Sequence, residues 1–240
     1  MTLTRFVLPA ALAALTLGGC AYNETLGRNQ LLIVDNSALA TQADAAWAQA
    51  LRTQPVSRDA ALNQRLRRVG DRIVAGANLG DRNWEYAVFV SDSPNAFVLP
   101  SYKIGVTTGL LALVKNDDQL ATVIGHEVGH IVARHGAERA SNSALGGLIQ
   151  SGVGSYGDTA GGLAGVITQY GFLLPYSRRD ELEADRLGVD CMQAAGYRPS
   201  QAIALWRLMG EQRQAATPEF ASTHPSDGSR IAALEQYIAS

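Results

Sequence analysis

Two histidines and a glutamate in the stretch NDDQLATVIGHEVGHIVARHG have the types and the spacing to bind a metal ion. His126, Glu127 and His130 form an H-E-x-x-H pattern in a run whose apolar residues recur at helical spacing. On a helix, positions four apart lie about 40° apart around the axis, so both imidazoles face one point. Two neutral imidazoles are half of a zinc site, and Glu127 is placed to take a proton from a metal-bound water. The pattern therefore predicts a catalytic zinc centre.

The helix around this pattern is predicted to begin after Asn116, which would cap it, and to end at Gly136. On such a helix His135 would lie about 180° from His126, so we do not expect it to be the third ligand. The extended metalloprotease pattern with a third histidine also fails, because position 133 is Ala133. A catalytic zinc needs a third protein ligand and an open position for water, so we expect a carboxylate from further along the chain.

The stretch SRRDELEADRLGVD offers such a carboxylate on a second predicted helix. Glu181 and Asp185 are four residues apart and share a face. We expect Glu181 to bind zinc and Asp185 to accept the outward N–H of one ligand histidine, which would fix its orientation. Glu183 is the alternative ligand, but it lies about 200° around the helix from Asp185, which would separate ligand and support. Without the first motif, this segment would be typical of a solvated, salt-bridged helix face.

Together the two motifs resemble those of zinc metallopeptidase family forty-eight, which includes the CAAX prenyl endopeptidases and the HtpX-like and Oma-like proteases. Residues 93–97 with residues 106–111 are similar to the family's strand segment before the zinc helix. His-Pro-Ser at 224–226 with Arg-Ile at 230–231 is similar to its C-terminal element. The resemblance covers roughly residues 57 to 238. It favours the bacterial lipoprotein and periplasmic branch that includes LoiP and BepA.

The resemblance implies a fold, a cofactor and three further site residues. The fold would be a single α+β, mainly helical domain over residues 36–240, zincin-like of the gluzincin type, with a small β-sheet beside the H-E-x-x-H helix and one zinc per chain. Asn95 and Ala96 would lie on an edge strand that binds the substrate backbone by β-augmentation, the alternative being a plain edge strand. His224 would lie near the metal and either stabilise the oxyanion or occupy the open position of zinc, the alternative being a solvent-exposed loop histidine.

The rest of the chain predicts a scaffold around this centre. Apolar periodicity predicts helices at residues 36–54, 57–78, 200–213 and 226–238, and short β-like runs at 84–90, 96–99 and 103–107. The glycine-rich stretch 141–177 is interpreted as a loose helical hairpin that flanks the cleft. Cys191 is the only cysteine besides Cys20 and is expected to be a small buried residue.

The N-terminus is typical of a bacterial lipoprotein signal. Arg5 precedes an apolar stretch too short to span a membrane, and Leu-Gly-Gly before Cys20 resembles a lipobox. Residues 1–19 would be removed, Cys20 lipidated, and residues 20–35 would form a tether. Ala21 after the cysteine favours the outer membrane, which places the chain in the cell envelope of a Gram-negative bacterium, facing the periplasm.

Composition narrows the function classes. The net charge is −2 and no basic cluster is present, so nucleic acid is not an expected partner. The expected function is zinc-dependent endoproteolysis of unfolded, misfolded or misassembled envelope polypeptides, with a membrane contact through Cys20. The alternative is a chaperone-like binding or assembly factor for outer-membrane proteins with little proteolytic turnover.

Overall fold

The computed structural model describes residues 20–149, 176–215, 224 and 228–240. The expected signal peptide, most of the expected hairpin at 141–177, and Pro225 and Ser226 of the C-terminal motif lie outside the described residues. The strands are β1 Cys20–Asn23, β2 Arg28–Leu31, β3 Glu85–Phe89, β4 Ala96–Leu99 and β5 Lys103–Thr107. The helices are α1 Asn36–Thr53, α2 Ala60–Gly76, α3 Thr108–Leu113, α4 Asp117–Val132, α5 His135–Ile149, α6 Arg178–Ala194, α7 Ser200–Ala215 and α8 Gly228–Ala239.

The helices begin where side chains can satisfy their free backbone N–H groups. Asn116 caps α4 by accepting a hydrogen bond from the Gln119 N–H, as the sequence predicts. Ser177 and Asp180 form a reciprocal capping box at the start of α6. These caps set the first turns of the two helices that carry the predicted zinc ligands.

A three-stranded mixed sheet lies beside α4. The strand order is β3-β5-β4, with β3 parallel and β4 antiparallel to β5. Strand β4 is therefore an edge strand, and it packs against α4. The predicted mainly helical α+β domain with a small sheet beside the zinc helix is confirmed.

The core forms on both faces of this sheet. A large apolar cluster joins α2, β5, α4, α6 and α7. A smaller cluster lies under α1, where Trp47 packs edge-on against Phe89 and Phe97. Burial of aromatic side chains on one face and of the helices on the other holds the zinc helix in a fixed position against the edge strand.

Helices α4 and α6 pack unusually closely because glycines face each other or the opposing backbone. A Cβ built at Gly129 would lie 2.6 Å from the Ala184 carbonyl oxygen, and one at Gly125 would lie 2.9 Å from the Gly188 carbonyl oxygen. Only residues without a Cβ allow this approach. The contact brings the ligand-bearing faces of the two helices together.

Two features differ from the sequence-based expectations. Helix α4 ends at Val132 and not at Gly136, because Arg134 takes a left-handed conformation (φ 57) and α5 begins at His135. The expected position of His135, far around a continuous helix from His126, is therefore wrong. The first part of the expected tether is an antiparallel hairpin of β1 and β2, with Cys20 paired to Leu31.

Within the part of the chain that the structure describes, no helix has the length and apolar character needed to cross a membrane.

Candidate metal centre

Four side chains from three parts of the chain converge on one point. His126 and His130 come from α4, Glu181 from α6, and His224 from the segment before α8. The His126 Nε2 lies 3.2 Å from His130 Nε2 and 3.1 Å from His224 Nδ1. Glu181 Oε1 lies 3.0 Å from His224 Nδ1 and 3.5 Å from His130 Nε2, and its Oε2 lies 3.5 Å from His126 Nε2. All four side chains are buried.

These donor atoms fit a tetrahedral zinc ion. Nitrogen and oxygen ligands about 2.0–2.1 Å from zinc lie about 3.3–3.4 Å from one another at the corners of a tetrahedron. The observed separations of 3.0 to 3.5 Å match this edge length. The structure thus brings together the three predicted ligands His126, His130 and Glu181, with His224 in the fourth position. Its burial contradicts the alternative of a solvent-exposed loop histidine.

The charge state of Glu181 suits a ligand. Burial alone would raise the pKa of this carboxyl group, but the surrounding imidazoles of His126, His130 and His224 hold it well below its usual range. Glu181 is therefore an anion inside the protein. A buried anion among three imidazoles is a donor set that a divalent cation neutralises.

His126 is held from behind by a carboxylate and an arginine. Its Nδ1 lies 2.8 Å from Asp185 Oδ1, the contact that the spacing of Glu181 and Asp185 predicted. Arg230 donates to both oxygens of Asp185 at 2.7 Å and its Nη1 lies 2.7 Å from Glu181 Oε2. Arg230 is 1% exposed. Its role was not predicted, although the sequence signal was present in the C-terminal motif.

His130 is held by a different arrangement, also unpredicted. Its Nδ1 lies 2.9 Å from His135 Nδ1, and His135 Nε2 lies 2.8 Å from Glu183 Oε2. Burial would raise the pKa of Glu183, but hydrogen bonds from His135 and Arg28 lower it to about 2. Glu183 therefore faces His135 and lies outside the four-residue donor set. The ring of Tyr176 stacks on His130 with centroids 3.9 Å apart.

Glu127 lies beside the donor set and is buried. Burial raises the pKa of its carboxyl group, and the Val98 backbone N–H donates to it. Its Oε1 lies 3.3 Å from His224 Nε2 and has no hydrogen-bond partner among the described residues. A buried carboxylate at this place is within reach of a metal-bound water, as a general base requires.

Asn95 and Ala96, the predicted substrate-binding residues, differ in what they present. The Asn95 N–H donates to Thr107 Oγ1 and its carbonyl accepts from the Thr107 N–H, so its backbone is paired with β5. Because antiparallel pairing alternates, Ala96 and Val98 direct their backbone groups away from β5. The buried Asn95 side-chain amide has no partner within the described ranges.

A cavity of about 530 Å³ opens next to His130. It is lined mainly by apolar side chains, among them Val98, Pro100 and Tyr176. The cavity joins the edge strand to the donor set, so an extended chain on β4 would pass beside it.

The sequence itself places the chain among known peptidases. The profile of Peptidase family M48 matches residues 60–238. The mitochondrial metalloendopeptidase OMA1 of Schizosaccharomyces pombe is 40% identical over 174 residues, covering 71% of this chain and 51% of that protein. Human OMA1 is 33% identical over 172 residues, covering 65% and 32%. The beta-barrel assembly-enhancing protease of Escherichia coli K12 is 29% identical over 196 residues, covering 74% and 39%.

The chain spans about half or less of the length of these curated relatives. The family match, however, covers most of the chain and includes every residue of the donor set. The chain therefore belongs to peptidase family M48, a family of zinc-dependent metalloendopeptidases.

Proposed function

We propose that this protein is an endopeptidase that cleaves unfolded or misassembled polypeptides of the bacterial cell envelope, with Glu127 as its general base. The observation that carries the proposal is the buried donor set with zinc-like spacing and the buried Glu127 carboxylate beside it. A purely structural zinc would have no use for that carboxylate.

The roles of the residues follow from their positions. His126, His130 and Glu181 would hold the metal. A zinc ion held there would supply Lewis acidity, which lowers the pKa of a bound water towards ~7 and polarises a carbonyl. Glu127 accepts the proton of the attacking water and delivers it to the leaving amine. Asp185 and Arg230 keep His126 and Glu181 in the orientation that this chemistry requires.

The edge strand supports unfolded polypeptides as the substrate class. Ala96 has outward backbone groups, and Val98 an outward carbonyl, with which an extended peptide can pair. The Val98 N–H is already donated to Glu127. In a folded substrate protein the backbone N–H and C=O groups of the strands are already paired with one another, so only an unfolded or unpaired segment can add to β4. The apolar cavity beside His130 would accept one substrate side chain, and the Asn95 amide would bind the substrate backbone.

The cellular place is part of the proposal. The signal-like residues 1–19 and Cys20 support a lipid-anchored protein facing the periplasm, most simply at the outer membrane. The E. coli relative, whose name describes a protease that enhances β-barrel assembly, supports an envelope substrate. The mitochondrial OMA1 relatives support the metalloendopeptidase chemistry without specifying this substrate.

One observation favours the second candidate, a binding or assembly factor with little turnover. His224 Nδ1 occupies the corner of the donor set where a catalytic zinc would carry water. A centre closed by this histidine would cleave only after His224 moves away. The same contact is compatible with a protease that rests in an inactive state, which is the form of the function we propose.

Glu127→Gln tests the proposal in the full chain purified in detergent. The variant should lose about 10²- to 10⁴-fold in cleavage of unfolded casein while its zinc content stays near one per chain, because the base is lost and the ligands remain. Glu211→Gln, an exposed substitution on α7, is the matched control and should behave like the wild type. Full activity of Glu127→Gln would refute the role of the base. A zinc-loaded wild type that cleaves none of many unfolded substrates would favour the binding function.

A further inference from the structure

Arg28, on the N-terminal hairpin, binds two carboxylates of the catalytic domain at once. Its Nε and Nη2 donate to the two oxygens of Glu183 at 2.7 and 2.8 Å. Its Nη1 and Nη2 donate to the two oxygens of Glu138 at 2.8 and 2.9 Å. Both pairs are bidentate, the geometry in which an arginine fixes carboxylates most firmly.

Glu183 is connected to the zinc ligand His130 through His135. When His130 binds zinc through Nε2, its Nδ1 carries a proton and donates to His135 Nδ1, 2.9 Å away. His135 must then carry its own proton on Nε2, which donates to Glu183 Oε2 at 2.8 Å. This is the oxygen that also accepts from Arg28 Nη2. The orientation of His130 therefore depends on a carboxylate that Arg28 holds in place.

The hairpin is attached to the domain by more than one side chain. Gln30 donates to the Ala133 carbonyl at 2.8 Å and to Glu138 Oε2 at 2.7 Å. Just after β2, the N–H groups of Ile33 and Val34 donate to Ser141 Oγ on α5. These contacts surround the turn between α4 and α5, where His135 begins the second helix. The hairpin thus stabilises the turn that follows the C-terminal end of α4.

The group of His135, Asp180 and Glu183 is not a second metal site. His135, Asp180 and Glu183 have donor atoms close enough to hold a cation. The guanidinium group of Arg28, however, already contacts Glu183 on two atoms and lies 3.9 Å from Asp180. A cation of the protein itself therefore neutralises these carboxylates, and Glu183 is the one that hydrogen-bonds His135.

We propose that the hairpin Cys20–Leu31 supports the metal centre, with Arg28 as a positioning residue that holds Glu183 on His135 and thereby fixes the zinc ligand His130. The inference rests on the proposed function in taking His130 as a zinc ligand. The hairpin lies outside the residues that match the family profile. Because linkage is reciprocal, docking of the hairpin favours zinc binding and zinc binding favours docking.

Zinc affinity of the Arg28→Ala variant is the direct test, measured by competition with a chelator on the full chain in detergent. We expect affinity to fall about 10- to 100-fold, the usual effect of losing a group that orients a metal ligand. Arg28→Lys should recover only part of this loss, because an ammonium group cannot bind both carboxylates in a bidentate manner. Arg198→Ala is the matched control. The Arg198 side chain donates two hydrogen bonds to Asp118, which lies in the first turn of the same zinc helix, at the end opposite His135.

Two readouts separate positioning from a merely structural role. In the cobalt-substituted protein, Arg28→Ala should alter the visible ligand-field spectrum, whereas Arg198→Ala should leave it as in the wild type. In the wild type, hydrogen exchange of the hairpin amides should become faster when zinc is removed. If Arg28→Ala keeps the zinc affinity and the cobalt spectrum of the wild type, the proposal is overturned, even if the variant unfolds at a lower temperature. Hydrogen exchange of the hairpin amides that does not depend on zinc would also overturn it.

None of these measurements uses proteolysis. A wild type that binds zinc and cleaves no polypeptide counts against the proposed function alone, and the comparison of Arg28→Ala with Arg198→Ala still decides the role of the hairpin. Conversely, an active Arg28→Ala enzyme with wild-type zinc affinity would overturn the role of the hairpin and leave the endopeptidase function standing.

Discussion

Replacing Gly129 by alanine tests whether the zinc ligands owe their spacing to the close contact of α4 and α6. A Cβ at this position would lie 2.6 Å from the Ala184 carbonyl oxygen. That distance is at least about 0.8 Å short of ordinary van der Waals contact, and the opposing atom is backbone, so the helices themselves must separate. Gly129 precedes the ligand His130, and Glu181 lies one turn before Ala184, so the separation moves ligands of the two helices apart.

The size of the effect follows from two opposing contributions. Alanine is a better helix former than glycine by about 0.5–1 kcal/mol, which favours the variant. Overpacking costs about 1–3 kcal/mol. Zinc sites tolerate deviations of about 0.2 Å in ligand distance, less than the required separation, so zinc binding should weaken by about 10- to 100-fold.

Gly210→Ala on α7 supplies the matched control, because a Cβ there would meet no atom of the described residues within 4 Å. Both variants gain the same helix propensity, so the difference in their free energies of unfolding isolates the steric cost. Denaturant unfolding of the zinc-free proteins should place Gly129→Ala about 1–3 kcal/mol below Gly210→Ala. Chelator competition should show weaker zinc binding for Gly129→Ala alone. If Gly129→Ala matches the control in both measurements, the helix contact does not set the ligand spacing.

Four further predictions use single measurements. Asp185→Ala should weaken zinc binding by about 10- to 100-fold, as seen by chelator competition, because His126 loses its support. His224→Ala should raise basal proteolysis of casein if this residue closes the centre, whereas a lower kcat would assign it to the oxyanion and unchanged rates would exclude both roles. Burial raises the pKa of the Cys191 thiol to about 12, so this thiol should resist thiol reagents in the folded protein. After denaturation, a chain lipidated at Cys20 should show one reactive thiol, whereas a chain with a free Cys20 should show two. Burial would raise the pKa of Glu183, but its histidine and arginine partners lower it from 4.5 to about 2. The ionised carboxylate therefore stabilises the fold above pH 4.5, and the free energy of unfolding of the zinc-free protein should fall as pH drops from about 4.5 to 2. The fall should be less steep in Glu183→Gln.

The parts of the centre that the sequence predicted are those set by local helix geometry. His126 and His130 share a face of α4, and Glu181 and Asp185 share a face of α6, because residues four apart on a helix always do so. The strands at 84–90, 96–99 and 103–107 were also predicted nearly to the residue, since Pro94, Pro100 and Gly109 bound them. Periodicity and chain-breaking residues suffice for such features.

The parts that the sequence missed depend on contacts between distant segments. Arg28 and Glu183 are separated by 155 residues, and the hairpin that carries Arg28 is polar and short, without the alternating apolar pattern that marks a strand. The end of α4 was misplaced because glycine is the usual left-handed residue at a helix end, whereas here Arg134 adopts that conformation. The resulting turn brings His135 next to His130, a contact that a straight helix would have prevented.

Each ligand histidine of α4 is finally held by an arginine, and the two arginines come from opposite ends of the chain. Arg28 lies on the hairpin that precedes α1, and Arg230 lies on α8. The orientation of each imidazole thus depends on an arginine brought in from one end of the described chain. Since zinc binding adds its free energy only to the state in which the ligands are aligned, metal binding and docking of the two ends stabilise each other.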